Sequence, residues 1–325
     1  MTYRPWRLGK VGGGRALRAA MLSALLALGF LGAPGLGAAA AAQQSFATAV
    51  EAVGALVAAL RANNTVALAA VLGPGSEKLI SSGDRVADAA ARQRFVTSYD
   101  EQHKLVSGGA ERMLLEVGSN DWQMPIPIVE TGGMWRFDSA AGAEVVVDRR
   151  IGRNEILAIR TLLGIVDAEK EYFALAERQG HGEYAERLIS TPGTHDGLYW
   201  PATSREEQSP LGPLVATAEA QGYPGQLVAG KPAPYQGYYF RVLRAQGAYA
   251  AGGAKDYVKD DHMTEGFALV AWPASFDSSG IMTFIVDQDG TVFQKDLGPD
   301  TAKVAAAMAT FDPDLSWTRV DVVKR

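Results

Sequence analysis

The chain has 325 residues, no cysteine and a formal net charge of -5. Without cysteine there are no disulfides, thiolate metal sites, cysteine nucleophile or lipid-bearing cysteine. The excess of acids excludes the Lys- and Arg-rich footprint that a phosphate backbone demands, so no nucleic acid partner is expected.

The first element is an export address. Arg4, Arg7, Lys10, Arg15 and Arg18 precede an uncharged apolar run over 19–33, a break at Pro34-Gly35, and small residues over 37–42. That order is a secretory signal peptide over 1–42, with cleavage near Ala42 and Ala40 and Ala41 as close alternatives. Its strongly apolar core, about 15 residues, is shorter than the roughly 20 a spanning helix needs. A periplasmic or secreted location follows, with no stable membrane insertion after cleavage. The leader holds five of the 31 basic residues, which leaves 26 against 36 acidic ones in the mature chain.

The mature chain reads as an α+β protein of two domains, 43–148 and 149–325. In the first, Ser45 caps a helix whose stripe is Phe46, Val50, Val53, Val57 and Leu60. A short helix over 65–72 and a third over 85–104 follow, the latter with Val86, Ala90, Phe95 and Tyr99 inward. Short strands over 113–117, 123–129, 134–137 and 144–147 alternate with turn residues. Helices followed by a meander suggest a roll.

The second domain opens on a long helix capped by Asn154, with Glu155 at its positive end. Ile156, Ile159, Leu163, Val166 and Phe173 form its stripe. A loop-rich excursion over 180–231 carries one helical piece at 214–221, and Tyr199, Trp200 and Tyr223 give it something to bury. Strands are expected over 237–243, 267–272, 281–286 and 291–294, the last two joined by an Asp287-Gln288-Asp289-Gly290 turn. A helix over 301–310 and a strand over 317–323 close the chain. The expected architecture is a long helix packed on an antiparallel sheet.

Several blocks stand in order: Ser82-Gly83-Asp84, Trp135-Arg136-Phe137-Asp138, Arg150-Ile151-Gly152-Arg153-Asn154-Glu155, Tyr238-Tyr239-Phe240-Arg241, Ser279-Gly280, and Lys295-Asp296-Leu297-Gly298-Pro299-Asp300-Thr301. Together they resemble the exported bacterial family known as domain of unknown function 2950, over nearly all of the mature chain. That resemblance implies no activity. The second half is also similar to type IV pilin and pseudopilin heads, with Ala168-Glu169-Lys170-Glu171-Tyr172 in the helix and Thr283-Phe284-Ile285-Val286 in the sheet. A folded domain stands where a pilin has its apolar helix half, so the similarity implies a pilin-like head as a soluble module.

Reactive constellations are scarce. The four histidines, His103, His181, His195 and His262, show no metal-ligand spacing. His181 and His195 are the pair that could converge with Glu183 or Asp196. Asp287-x-Asp289-Gly290 lacks the glycine and glutamate positions of a calcium loop and reads as a hairpin turn. No Gly-x-Ser-x-Gly occurs. Trp122, Trp135, Trp200, Trp272 and Trp317 read as core before they read as a glycan groove. Tyr235, Tyr238, Tyr239, Tyr249 and Tyr257 form a recognition patch if exposed. No catalytic, cofactor-binding or metal-binding residue is assigned, and no cofactor is implied. The leading expectation is a non-catalytic envelope module that binds or assembles with envelope proteins or a polymer. The alternative is a hydrolase of an envelope polymer, and the way the excursion sits on the second sheet separates the two.

Overall fold

Residues 42–202, 208–224 and 233–321 are described by the computed structural model of the chain. The expected leader lies outside them except for Ala42, as do 203–207 and 225–231 of the excursion, Pro232, and the last residues of the final expected strand. These described residues gather as one unit. It is an α+β fold with two apolar clusters, one built from residues 49–137 and the other from 158–311.

Four helices come first: α1 (Ala49–Arg61), α2 (Thr65–Leu72), α3 (Glu77–Ile80) and α4 (Arg85–Glu101). Side-chain caps start three of them. Thr48 accepts from the N–H of Glu51, Asn64 from Val66 and Ala67, and Asp84 from Val86 and Ala87. Each cap satisfies donors that a first turn leaves open. The first cap is therefore Thr48 and not Ser45, because Phe46 is drawn into a bridge with Trp135. The buried stripe of α1 is Ala49, Ala52, Val53, Leu56 and Val57, while Val50 is 70% exposed. Alanines bury here because α2 and α4 pack directly on this helix.

A meander follows: β1 (His103–Gly109), β2 (Arg112–Val117), β3 (Trp122–Gln123), β4 (Ile128–Thr131) and β5 (Met134–Phe137). The order is β1-β2-β4-β5, antiparallel, with β3 beside β2. Gln102 turns extended after α4, so 103–104 begin a strand where a helix was expected. The expected strand over 123–129 splits because Pro125 and Pro127 have no N–H for the ladder. Leu115, Ile128 and Phe137 close on α1 and α2 in the first cluster.

Helix α5 (Ala143–Arg178) is 36 residues long, about 54 Å at 1.5 Å per residue. Residues 144–147 belong to it, not to a strand, and Asn154 lies mid-helix, not at a cap. The valine run favours a strand locally. Val147, Ile151, Asn154 and Ala158 nevertheless bury at helical spacing, and packing overrides propensity. The boundary expected at 148/149 falls inside this helix. Ile156 is 54% exposed, and the buried face holds Asn154, Thr161 and Glu169 instead.

After α6 (Gly212–Ala220) come β6 (Tyr238–Leu243), β7 (Ala245–Gln246), β8 (Lys255–Asp256), β9 (Val258–Lys259), β10 (His262–Met263), β11 (Ala268–Pro273), β12 (Met282–Asp287), β13 (Val292–Asp296), α7 (Thr301–Ala307), β14 (Thr310–Phe311) and β15 (Thr318–Arg319). The main sheet runs β15-β13-β12-β11-β6, antiparallel throughout. Helix α5 packs on β12, β11 and β6. Every residue of β11 is buried, and β6 is an edge strand.

A buried polar joint ties these parts together. Asp84 caps α4 with one carboxylate oxygen, and the other accepts from Tyr223 OH at 2.8 Å and the N–H of Gly237 at 2.9 Å. Asn154 Nδ2 donates to the carbonyl of Ser279 at 2.9 Å. Glu155 Oε1 accepts from the N–H groups of Ile281 and Met282, both at 3.0 Å. Arg150 donates to the carbonyls of Lys78 and Leu79 at 2.7 and 3.1 Å. Gly237 has φ +83°, and a Cβ there would come 2.5 Å from Asn154 Nδ2. Conformation and space both require glycine at that position.

Candidate functional site

The edge of β6 that is unpaired among the described strands borders a cavity of about 680 Å³, within the size range of small-molecule sites. Helix α5 contributes Thr161 and Ile165, and the sheet contributes Phe240, Val242 and Trp272. The third wall is the excursion, through Leu188, Ile189, Leu211, Leu214, Val215 and Ala218. Side chains alternate along a strand, so Phe240 and Val242 leave one face of β6 and Arg241 the other. All three line the cavity, which therefore wraps the strand edge. The excursion wall is held by backbone bonds, Leu198 N–H to the Arg187 carbonyl at 3.1 Å and Leu211 N–H to the Leu198 carbonyl at 3.0 Å.

The polar groups of this cavity are few among the described residues. Arg244 pairs with Glu186 at 3.1 Å, and Arg187 with Asp196 at 3.3 Å. Arg241 donates from Nη2 to the carbonyls of Ala305, Ala306 and Met308 at the end of α7. Its Nε is buried and has no partner among the described residues. Burial lowers the pKa of Arg241. Burial likewise raises the pKa of Tyr235 and, with the bond to Asp84, that of Tyr223. Both phenols stay protonated.

A second cavity, about 520 Å³, lies at the C-terminal end of α5. It gathers His181, Glu183, His195 and Asp196, the four residues expected to converge, beside Tyr172, Trp200 and Gln208. Local bonds hold them apart in role. Asp196 accepts from the Thr191 N–H at 2.7 Å, from Thr191 Oγ1 at 2.8 Å and from Thr194 Oγ1 at 2.7 Å. Burial opposes its charged form, but these bonds and Arg187 outweigh it, and its pKa falls below the ordinary carboxylate value. His195 stacks on Trp200 with centroids 4.3 Å apart. Glu183 faces His262 Nδ1 at 2.6 Å and His181 Nε2 at 4.0 Å. Burial first, then nearby acids, push the Tyr172 phenol up to about 12. Among the described residues no group of three His, Asp or Glu side chains is placed to hold a metal ion.

The remaining candidates are structural. His103 stacks on Tyr99 at 3.8 Å. Asp287 Oδ1 accepts from the N–H groups of Asp289 and Thr291, and Gly290 has φ +79°, as a hairpin turn requires. Trp200 and Trp272 are buried, Trp122 is 36% exposed, and Trp317 lies near Lys295 Nζ at 5.8 Å. The tyrosines form no exposed patch, since Tyr238 and Tyr257 are buried and only Tyr249 is largely exposed. Asp296 Oδ1 accepts from the N–H of Gly298, a turn at the end of β13.

The family described as "Protein of unknown function (DUF2950)" matches residues 43–320. The chain belongs to this family. No curated protein and no solved structure matches, and the similarity to pilin heads finds no support there. The family blocks read earlier map onto the joint: Asp84, Arg150, Asn154, Glu155 and Ser279 each hold a neighbouring element. The main cavity takes only Phe240 and Arg241 from such blocks.

One buried group escaped the sequence reading. Glu169 is 0% exposed, accepts from the Ala185 N–H at 2.9 Å through Oε2, and has no partner for Oε1 among the described residues. Burial pushes its pKa well above the ordinary carboxylate value. The available signal was its spacing, four residues after Ile165 and three after Val166 on the buried face of α5.

Proposed function

We propose that the mature chain is an exported, non-catalytic binding module of the bacterial envelope that holds a small apolar ligand in the cavity beside β6. The observation that carries this reading is the cavity's wall, aliphatic and aromatic on three sides with few polar groups. Sites of this size and lining are typical of ligand pockets. Export rests on the leader, and the family match begins at Gln43, next to the expected cleavage point. The excursion supports the reading because it packs as the third wall.

The test is binding of a neutral apolar dye, Nile red, to purified mature chain. Saturable fluorescence is expected, together with its loss in Ala218→Trp, which fills the cavity from the face of α6 that lines it. The unfolding midpoint should hardly change in that variant. A dye signal that is absent, or that survives the filling, counts against the reading.

The second reading is a hydrolase of an envelope polymer. It is favoured by the meeting of His181, Glu183, His195 and Asp196 in one cavity. Turnover of peptidoglycan or another envelope glycan by the purified chain would move the function there.

A further inference from the structure

We propose that the ligand of the β6 cavity is a single-chain amphiphile with one anionic head group, a long-chain carboxylate, whose head meets Arg241. This rests on the cavity being the ligand site.

The charge around the cavity runs against the charge of the chain. The mature sequence carries more acids than bases, yet among the described residues the charged ones on the lining are Arg187, Arg241, Arg244 and a single glutamate, Glu186. Two of the arginines are neutralised, by Asp196 and by Glu186. Arg241 has no carboxylate partner among the described residues. Its backbone partners close the end of α7, and carbonyls stabilise a cation without cancelling its charge. A half-buried guanidinium beside an apolar wall loses hydration. A ligand carboxylate placed there would offset that loss through a charge-assisted bond. The rest of the wall accommodates hydrocarbon: Ile165, Leu188, Leu214 and Trp272 stand around the same space.

The experiment displaces Nile red from the full mature chain with dodecanoate, dodecanol and dodecylamine. Dodecanoate should bind at least tenfold tighter than dodecanol, about 1.4 kcal/mol, and the gap should shrink with salt. Arg241→Gln keeps a donor for the α7 carbonyls and removes the charge. It should bring dodecanoate to the level of dodecanol and leave dodecanol unchanged, whereas Arg241→Lys should keep the preference. If the glutamine variant does not fold, acidifying the wild type until the carboxylate is protonated should erase the same gap. Equal affinity for acid and alcohol, or tightest binding of the amine, overturns the anionic head and leaves the apolar site standing. Failure of all three to displace the dye overturns both. Association with phosphatidylglycerol vesicles without uptake of dodecanoate overturns the inference in favour of a membrane surface.

Discussion

The joint around Asp84 and the cavity beside β6 share Tyr223, which donates to Asp84 and also lines the cavity, yet they are built on opposite terms. In the joint every key polar atom is spoken for: Asp84 accepts from four donors, Asn154 and Glu155 hold the approach to β12, and Gly237 leaves room for the amide. In the cavity the wall is largely apolar, and the Arg241 guanidinium has no acidic partner among the described residues. Closed hydrogen-bond accounts mark the part that must not move, and an apolar cavity with a cationic side chain on its wall marks the part that takes a ligand. Most of the recognisable residue blocks of this chain therefore belong to the scaffold.

The sharpest way to break that comparison is Asp84→Ala. The change removes the α4 cap and leaves Tyr223 OH and the Gly237 N–H buried without their acceptor. Asp84 itself is 1% exposed. A loss of about 3–5 kcal/mol is expected, from a cap and two unsatisfied donors, read by chemical denaturation. A loss comparable to that of a surface substitution would show that the joint is decoration. By contrast, Ala218→Trp should silence dye binding at nearly constant stability.

Much of the scaffold was legible. The helix over 65–72, four strands of the main sheet and the Asp287–Gly290 turn follow from period, caps and turn chemistry and stand within two residues of where they are expected, whereas the strand expected over 317–323 is Thr318–Arg319 among the described residues. Errors arose where tertiary packing outvoted local preference. Val145-Val146-Val147 reads as strand but starts α5, and Asn154 reads as a cap but hydrogen-bonds the sheet from mid-helix. The cavity was hidden for a different reason. Leu188 and Leu211 come from stretches with no period, and apolar residues that line a space look like those that fill one. Only the pairing of His181, Glu183, His195 and Asp196 was visible beforehand, and it fell in the second cavity.

Glu169 sharpens the contrast from inside α5, because it is a buried carboxyl with one oxygen left open, away from any joint. Its folded pKa is raised well above the ordinary value by burial, while in the unfolded chain it ionises near about 4.3. The folded state therefore binds more protons above that pH. Stability from this group is greatest below about pH 4.3 and falls as pH rises, by about 1.4 kcal/mol per unit, until the folded carboxyl ionises. Glu169→Gln keeps an acceptor for the Ala185 N–H and should remove that slope from denaturation curves taken across pH 4–8. A slope that persists would assign the pH dependence to other groups.

The smallest effect belongs to the rim of the second cavity. Glu183 raises the pKa of His262 above the ordinary histidine value, first through their hydrogen bond and then through its charge. A raised histidine favours the fold below its unfolded pKa of about 6.5, and the benefit fades as pH rises through the folded value. His262 is largely exposed, and solvent screens such pairs to little net stability. Glu183→Gln should therefore return the His262 titration, followed by NMR, to the ordinary range and leave the unfolding midpoint in place. An unfolding midpoint that drops with the same substitution would mean that Glu183 anchors the excursion as Asp84 anchors α4. The second cavity would then belong with the scaffold and lose its claim as a site of chemistry.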